Sequence, residues 1–174
     1  MAREAEGAEQ TVYNYFRSKE HLVTDREQQI QDQLCDLIRS RPAGVSPAAA
    51  VRDVILESVA GIRDIPPDIW RGELGYLAAI SPTVHRLVLE LLDRQAAALA
   101  GAIGESTDVH PQIATLQGIA LASVFKIIIG EAGRRTVEGQ SQATIADELH
   151  PIIQNIVAEL DRWLSLVAPP STQA

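Results

Sequence analysis

Cysteine, aromatics, basic charge and long apolar runs are all scarce in this 174-residue chain. The one cysteine, Cys35, excludes a disulfide within the chain, and His21, His85, His110 and His150 are too dispersed for metal-ligand spacing. No metal or cofactor is therefore expected. The longest apolar run, around "VFKIIIG" at 124–130, is far too short to cross a bilayer, and no signal peptide is visible. These shortages, with the lone thiol, give the expectation of a cytoplasmic protein with no membrane partner. Fifteen Lys and Arg stand against 23 Asp and Glu, a formal charge of −8. Such a balance excludes a protein that coats nucleic acid or anionic lipid by charge alone, but it leaves room for a local DNA-reading element. No Ser/His/Asp or paired-carboxylate arrangement can be argued, so the expectation is that the chain is not an enzyme.

What is present is helical. Hydrophobic residues make up 46% of the chain and charged residues 22%, enough for a packed core. Proline and glycine fall between segments of 3.6-residue periodicity, and strand-like alternation is sustained nowhere. Residues 20–40 place Leu22, Ile30, Leu34, Leu37 and Ile38 on one face. After "RPAGVSP", Ser46 and Pro47 form a cap and first-position pair opening a helix to about Ile62. "DIPPD" precedes a short helix, "IWRGELGYLAAI". Ser81 and Pro82 then repeat the device ahead of a stripe of Val84, Leu87, Val88, Leu91, Leu92 and Leu99. A helix over about 110–133 is apolar nearly all round. A last one, about 142–167, carries Ile145, Leu149, Ile152, Ile156, Leu160, Trp163 and Val167, with Pro151 expected to kink it or mark a restart. The expected class is all-α, with about seven helices.

The aromatics are few but clustered. "TVYNYFRSKEHL", Thr11 to Leu22, holds Tyr13, Tyr15 and Phe16 within four positions, close to Lys19. On a helix Val12 and Phe16 point one way, joined after a turn by Leu22. Thr11, Asn14 and Tyr15 project outward, with Tyr13 at the border and Glu9 and Gln10 at the leading end. Hydroxyls, an amide, phenols and a lysine are groups that donate to phosphate oxygens and base edges. An amphipathic helix whose tyrosines only pack at a domain boundary is the plainer alternative.

The order of residues in this stretch resembles the end of the helix-turn-helix in the tetracycline-repressor (TetR) family of bacterial regulators. Thr11, Val12, Tyr13, Tyr15, Phe16, Lys19 and Leu22 each match its pattern. The resemblance implies that Thr11, Tyr15 and Lys19 hold the phosphate backbone. Glu9, Gln10, Tyr13 and Asn14 become the candidates for base reading. It implies a partial DNA-binding domain over 1–22, truncated at its N-terminus by its first helix and part of its second. A ligand-binding and dimerisation domain over 23–168 would follow.

It further implies a transcriptional repressor, released from a palindromic double-stranded operator by a small hydrophobic or amphipathic molecule. The alternative is a dimeric ligand-sensing protein that does not bind DNA in this form. From the residues themselves, the apolar excess of the last two helices predicts a homodimer through them; both sitting in a monomer core is the competing reading. Polar residues inside apolar stretches are the ligand candidates: Ser58, Trp70, Tyr76, Gln117, Ser123 and Lys126. Lys126 reads either as an anion anchor or as a lysine snorkelling to solvent or paired with an acid such as Glu131. Trp70, Tyr76 and Gln117 are expected to flank one pocket between helices. His85, early in its helix, is expected to be partly exposed.

Overall fold

A computed structural model describes residues 28–71 and 73–167. Glu9, Gln10, Thr11, Tyr13, Asn14, Tyr15 and Lys19, with the whole candidate DNA-reading stretch, lie outside the described residues. The chain divides into two compact units, Met1–Gln33 and Leu34–Ala174. Of the first, residues 28–33 are described; they are helical, and Gln28 donates to Asp32 one turn on at 2.9 Å.

The described residues form seven α-helices and no strand: α1 (28–40), α2 (Pro47–Ala60), α3 (Pro67–Trp70), α4 (Leu74–Ile80), α5 (Pro82–Ser106), α6 (Pro111–Val137) and α7 (Gln142–Val167). A 3₁₀ turn, Gly61–Asp64, follows α2. In the second unit, α1 buries Leu34, Cys35 and Ile38. Its end is held by side chains. Arg41 donates to the carbonyls of Ile38 and Val45 and, at 2.7 Å, to Ser106 Oγ, while Arg39 pairs with Glu105 at 2.7 Å. Arg41 has no carboxylate among these partners, and burial pulls its pKa down from the ordinary guanidinium value.

Both cap-plus-proline starts are present. Ser46 Oγ accepts from Ala49 N at 3.0 Å, and Ser81 Oγ accepts from Val84 N at 3.4 Å. The Ser46 hydroxyl also donates to Asp161 of α7 at 2.6 Å, tying the start of α2 to the far end of the bundle. α2 faces α7 with Val51, Ile55 and Val59 at four-residue intervals. α5 and α6 form the most extensive helix pair, α4 lies on α6, and α7 closes the other side of α6.

Glycines set how closely these helices approach. A Cβ added to Gly118 of α6 would fall 2.4 Å from the Ala96 carbonyl of α5, and one on Gly133 would fall 2.0 Å from the Gly75 carbonyl of α4. At both crossings backbone meets backbone, with no room for even a methyl group. The loops use the other property of glycine: Gly44 and Gly139 hold φ near +82° and +83°, the left-handed region that opens the turns before α2 and α7.

Four local features differ from the sequence expectation. The helix read as "IWRGELGYLAAI" is two, α3 and α4, because Glu73 is extended at φ −74°, ψ 152°. α6 continues four residues past 133, where Arg134 and Arg135 suit the negative end of the helix dipole. α7 runs through Pro151 as one helix; the ring sits on the exposed side. Finally, α6 is long and apolar enough to cross a membrane by length and composition, with a mean hydropathy of 1.8 over its most apolar window. Uninterrupted run length missed this, because Gln117, Ser123 and Lys126 break the run without lowering the average much. Only 39% of that window is buried.

Candidate functional site

The six ligand candidates do not converge. Trp70 is buried, and its indole N–H donates to Thr136 Oγ1 at 3.0 Å; that hydroxyl in turn donates to Ala132 O at 2.6 Å. The polar tip of Trp70 is thus spent on joining α3 to the end of α6. Tyr76 is half-buried on α4, next to the Gly75 crossing. Gln117 is near the other end of α6, nineteen positions from Thr136, about 28 Å at 1.5 Å per residue. Among the described residues Trp70 and Gln117 therefore do not flank one pocket. The sequence marked these as polar residues inside apolar stretches, but it could not say that α3, which carries Trp70, packs at the opposite end of α6 from Gln117.

Ser58 and Ser123 are exposed, and each hydroxyl donates back to its own helix, to Ile55 O at 2.7 Å and Ile119 O at 2.8 Å. Lys126 is exposed, as is His85. Glu131, the acid considered for Lys126, is occupied instead by Arg134 at 2.8 Å and Arg135 at 3.2 Å. Those contacts, Arg134 first, hold the Glu131 carboxyl below the usual glutamate range. Arg135 is buried and also pairs with Glu148, bridging α6 and α7.

Gln117 is the polar residue that stands out. Only 3% of it is exposed, and no hydrogen bond reaches its side-chain amide among the described residues. A primary amide carries two donors and an acceptor, and those of Gln117 are not among the fully buried unpaired atoms, so they still reach solvent. Among the described residues its amide and the half-buried Tyr76 hydroxyl make no side-chain hydrogen bond, whereas Trp70, Ser58 and Ser123 spend theirs on the protein.

A concavity lies elsewhere among the described residues and was not anticipated. A groove of about 580 Å³ runs between the second half of α5 and the first half of α6. Its walls include Ala97, Ala100, Gly101, Gly104 and Ala114, with Asp93 the sole charged residue. Alongside it the apolar Ile113, Leu116 and Ile119 of α6 stay in solvent, Leu116 52% and Ile119 49% exposed. The sequence signal was "QAAALAGAIG", 95–104, in which Ala97, Gly101 and Gly104 face outward while Ala96, Leu99, Ala102 and Ile103 face in. Attention to the large residues of the stripe passed over it.

No cluster of three or more His, Cys, Asp or Glu able to hold a metal occurs among the described residues. In comparisons with known proteins, no family model, no curated protein and no solved structure matches the chain.

Proposed function

We propose that this chain is a ligand-responsive, DNA-binding transcriptional regulator of TetR-like build, a repressor that leaves a palindromic operator when a small hydrophobic molecule binds. The observation that carries the reading is the stretch Thr11–Leu22, with seven positions in the order that this family uses to grip DNA. An all-helical chain with a helix following that stretch is compatible with it. The homodimer in this reading uses apolar side chains left at the surface of the last two helices. On α7 these are the exposed Ile152 and Leu166 and the half-buried Ile156, Leu160 and Trp163. The unpaired amide of Gln117 is the polar anchor for the ligand, and the apolar residues around it set the ligand's class.

The test is fluorescence anisotropy with DNA flanking the protein's own gene, using this chain and an N-terminally extended form. The extended form should bind that DNA more tightly than random duplex. Lys19→Ala should weaken both and shallow the salt dependence by about one unit of slope, because one fewer counterion is released. Gln10→Ala or Asn14→Ala should change sequence preference instead. Should the extended form show no preference for any flanking sequence, the regulator reading fails. What would then remain is the ligand-sensing dimer without DNA binding, a reading the formal charge of −8 favours.

A further inference from the structure

We propose that the outer face of α5 and α6 is a docking surface for a second copy of this chain, with the ridge Ile113, Leu116 and Ile119 of each copy seated in the Ala/Gly groove of the other. This takes up the self-association in the reading above, on a different flank of α6, and needs no DNA binding.

The levels of the two helices carry the argument. Gly118 lies against Ala96 and Ala100, and a Cβ on Gly104 would meet the Ala114 Cβ at 3.9 Å. Counted at 1.5 Å per residue along antiparallel helices, Ile119 is level with Ala97, Leu116 with Ala100 and Gly101, and Ile113 with Gly104. A twofold axis parallel to the helices leaves every residue at its own level. It therefore lays each ridge side chain over the small residues of the partner's groove, the self-complementary relation an isologous contact requires. Ridge steps of three residues, about 4.5 Å, match groove steps of three and four.

Charge fits the same axis. By the same count Lys126 is level with Glu90 and Asp93. All three are exposed, and none forms an ion pair among the described residues. The axis puts each copy's lysine over the other's two carboxylates. The area is also sufficient. Helices of 25 and 27 residues present a face about 38 Å long and 20 Å across, close to the roughly 800 Å² per partner of a stable dimer.

Light scattering on the full chain tests this. A Cβ at Gly101 meets nothing within 4 Å, so Gly101→Leu fills the groove without disturbing the protomer, and its melting temperature at low concentration should be no lower than wild type, raised by the helix propensity of leucine over glycine. Its mass should fall to half the wild-type value. Lys126→Glu should weaken association, and adding Glu90→Lys and Asp93→Lys to the same chain should restore it. Wild-type mass retained by Gly101→Leu overturns the proposal. So does a wild-type monomer that sodium decanoate stabilises and Gly101→Leu does not, which would make the groove a small-molecule site. Ile156→Glu reads the α7 contact separately. If it alone dissociates the protein, the groove is not the interface and the α7 part of the reading above still stands.

Discussion

Both faces of α6 carry large apolar side chains, in opposite surroundings. Inward, Leu121, Val124 and Ile128 are buried, and Gly118 and Gly133 touch the backbone of neighbouring helices. Outward, Ile113, Leu116, Ile119 and Ile127 remain in solvent, and Gly130 has nothing within 4 Å of where its Cβ would be. A helix that is apolar all round defeats periodicity as a guide, since a moment needs a polar face to point away from. What separates the faces is the space around the glycines. Where a methyl group cannot fit, the face is core; where it meets nothing, the face is open to solvent or to a partner.

The largest expected effect sharpens that contrast directly. Leu121→Ala should cost about 2–5 kcal/mol in urea unfolding, because it removes buried atoms and leaves a cavity. Leu116→Ala, at concentrations where the chain is monomeric, should stay within about 0.5 kcal/mol. Comparable losses would erase the distinction between the faces.

The glycines give the next effect. Gly133→Ala should cost about 1–3 kcal/mol by overpacking against the Gly75 carbonyl, whereas Gly130→Ala should stabilise by about 0.5–1 kcal/mol, the ordinary gain of alanine over glycine in a helix. A neutral Gly133→Ala would mean that α4 can slide off α6 freely. Trp70→Phe, which keeps one of the two fused rings and deletes the N–H donated to Thr136, should cost about 2–3 kcal/mol, the lost hydrogen bond together with a small cavity. Ligand-induced stabilisation, if Gln117 is the anchor, should survive that change and be lost in Gln117→Leu.

The smallest effect belongs to the border between the faces. Glu131 has a lowered pKa in the folded chain, so its contacts with Arg134 and Arg135 stabilise the fold above the unfolded glutamate value of about 4.3. That contribution fades as pH falls from there through the lower folded value. Glu131→Gln should remove this share of the acid sensitivity and leave the neutral-pH melting temperature nearly unchanged, since such half-exposed pairs contribute little. An unchanged acid limb of the stability curve would count against it.

Much of this architecture could be read from the residues. Ser46–Pro47 and Ser81–Pro82 mark helix starts because a hydroxyl cap and a proline that needs no N–H both belong there, and both hydroxyls do accept the expected amide. The helical class followed from spacing. Pro151 was misleading, since an exposed proline ring can be carried by a helix whose other face is well packed. The site was less legible for a reason of scale. Burial of Trp70 and Gln117 could be inferred locally, but their separation depends on which level of α6 each element packs against. The groove was missed because it is made by what is lacking, side-chain volume at Ala97, Gly101 and Gly104, on the face that periodicity assigns to solvent.

The Ser46–Asp161 hydrogen bond has a consequence for the order of events in folding. It joins positions 115 residues apart, while the cap it extends, Ser46 to Ala49, is local. A local cap can form as soon as α2 does, whereas a contact of such separation must wait until nearly the whole chain has closed around it. One hydroxyl therefore belongs to both an early and a late step. Asp161→Asn should then act chiefly on the unfolding limb of a chevron plot, and Ser46→Ala on both limbs, so that this single side chain separates helix formation in time from the docking of α7.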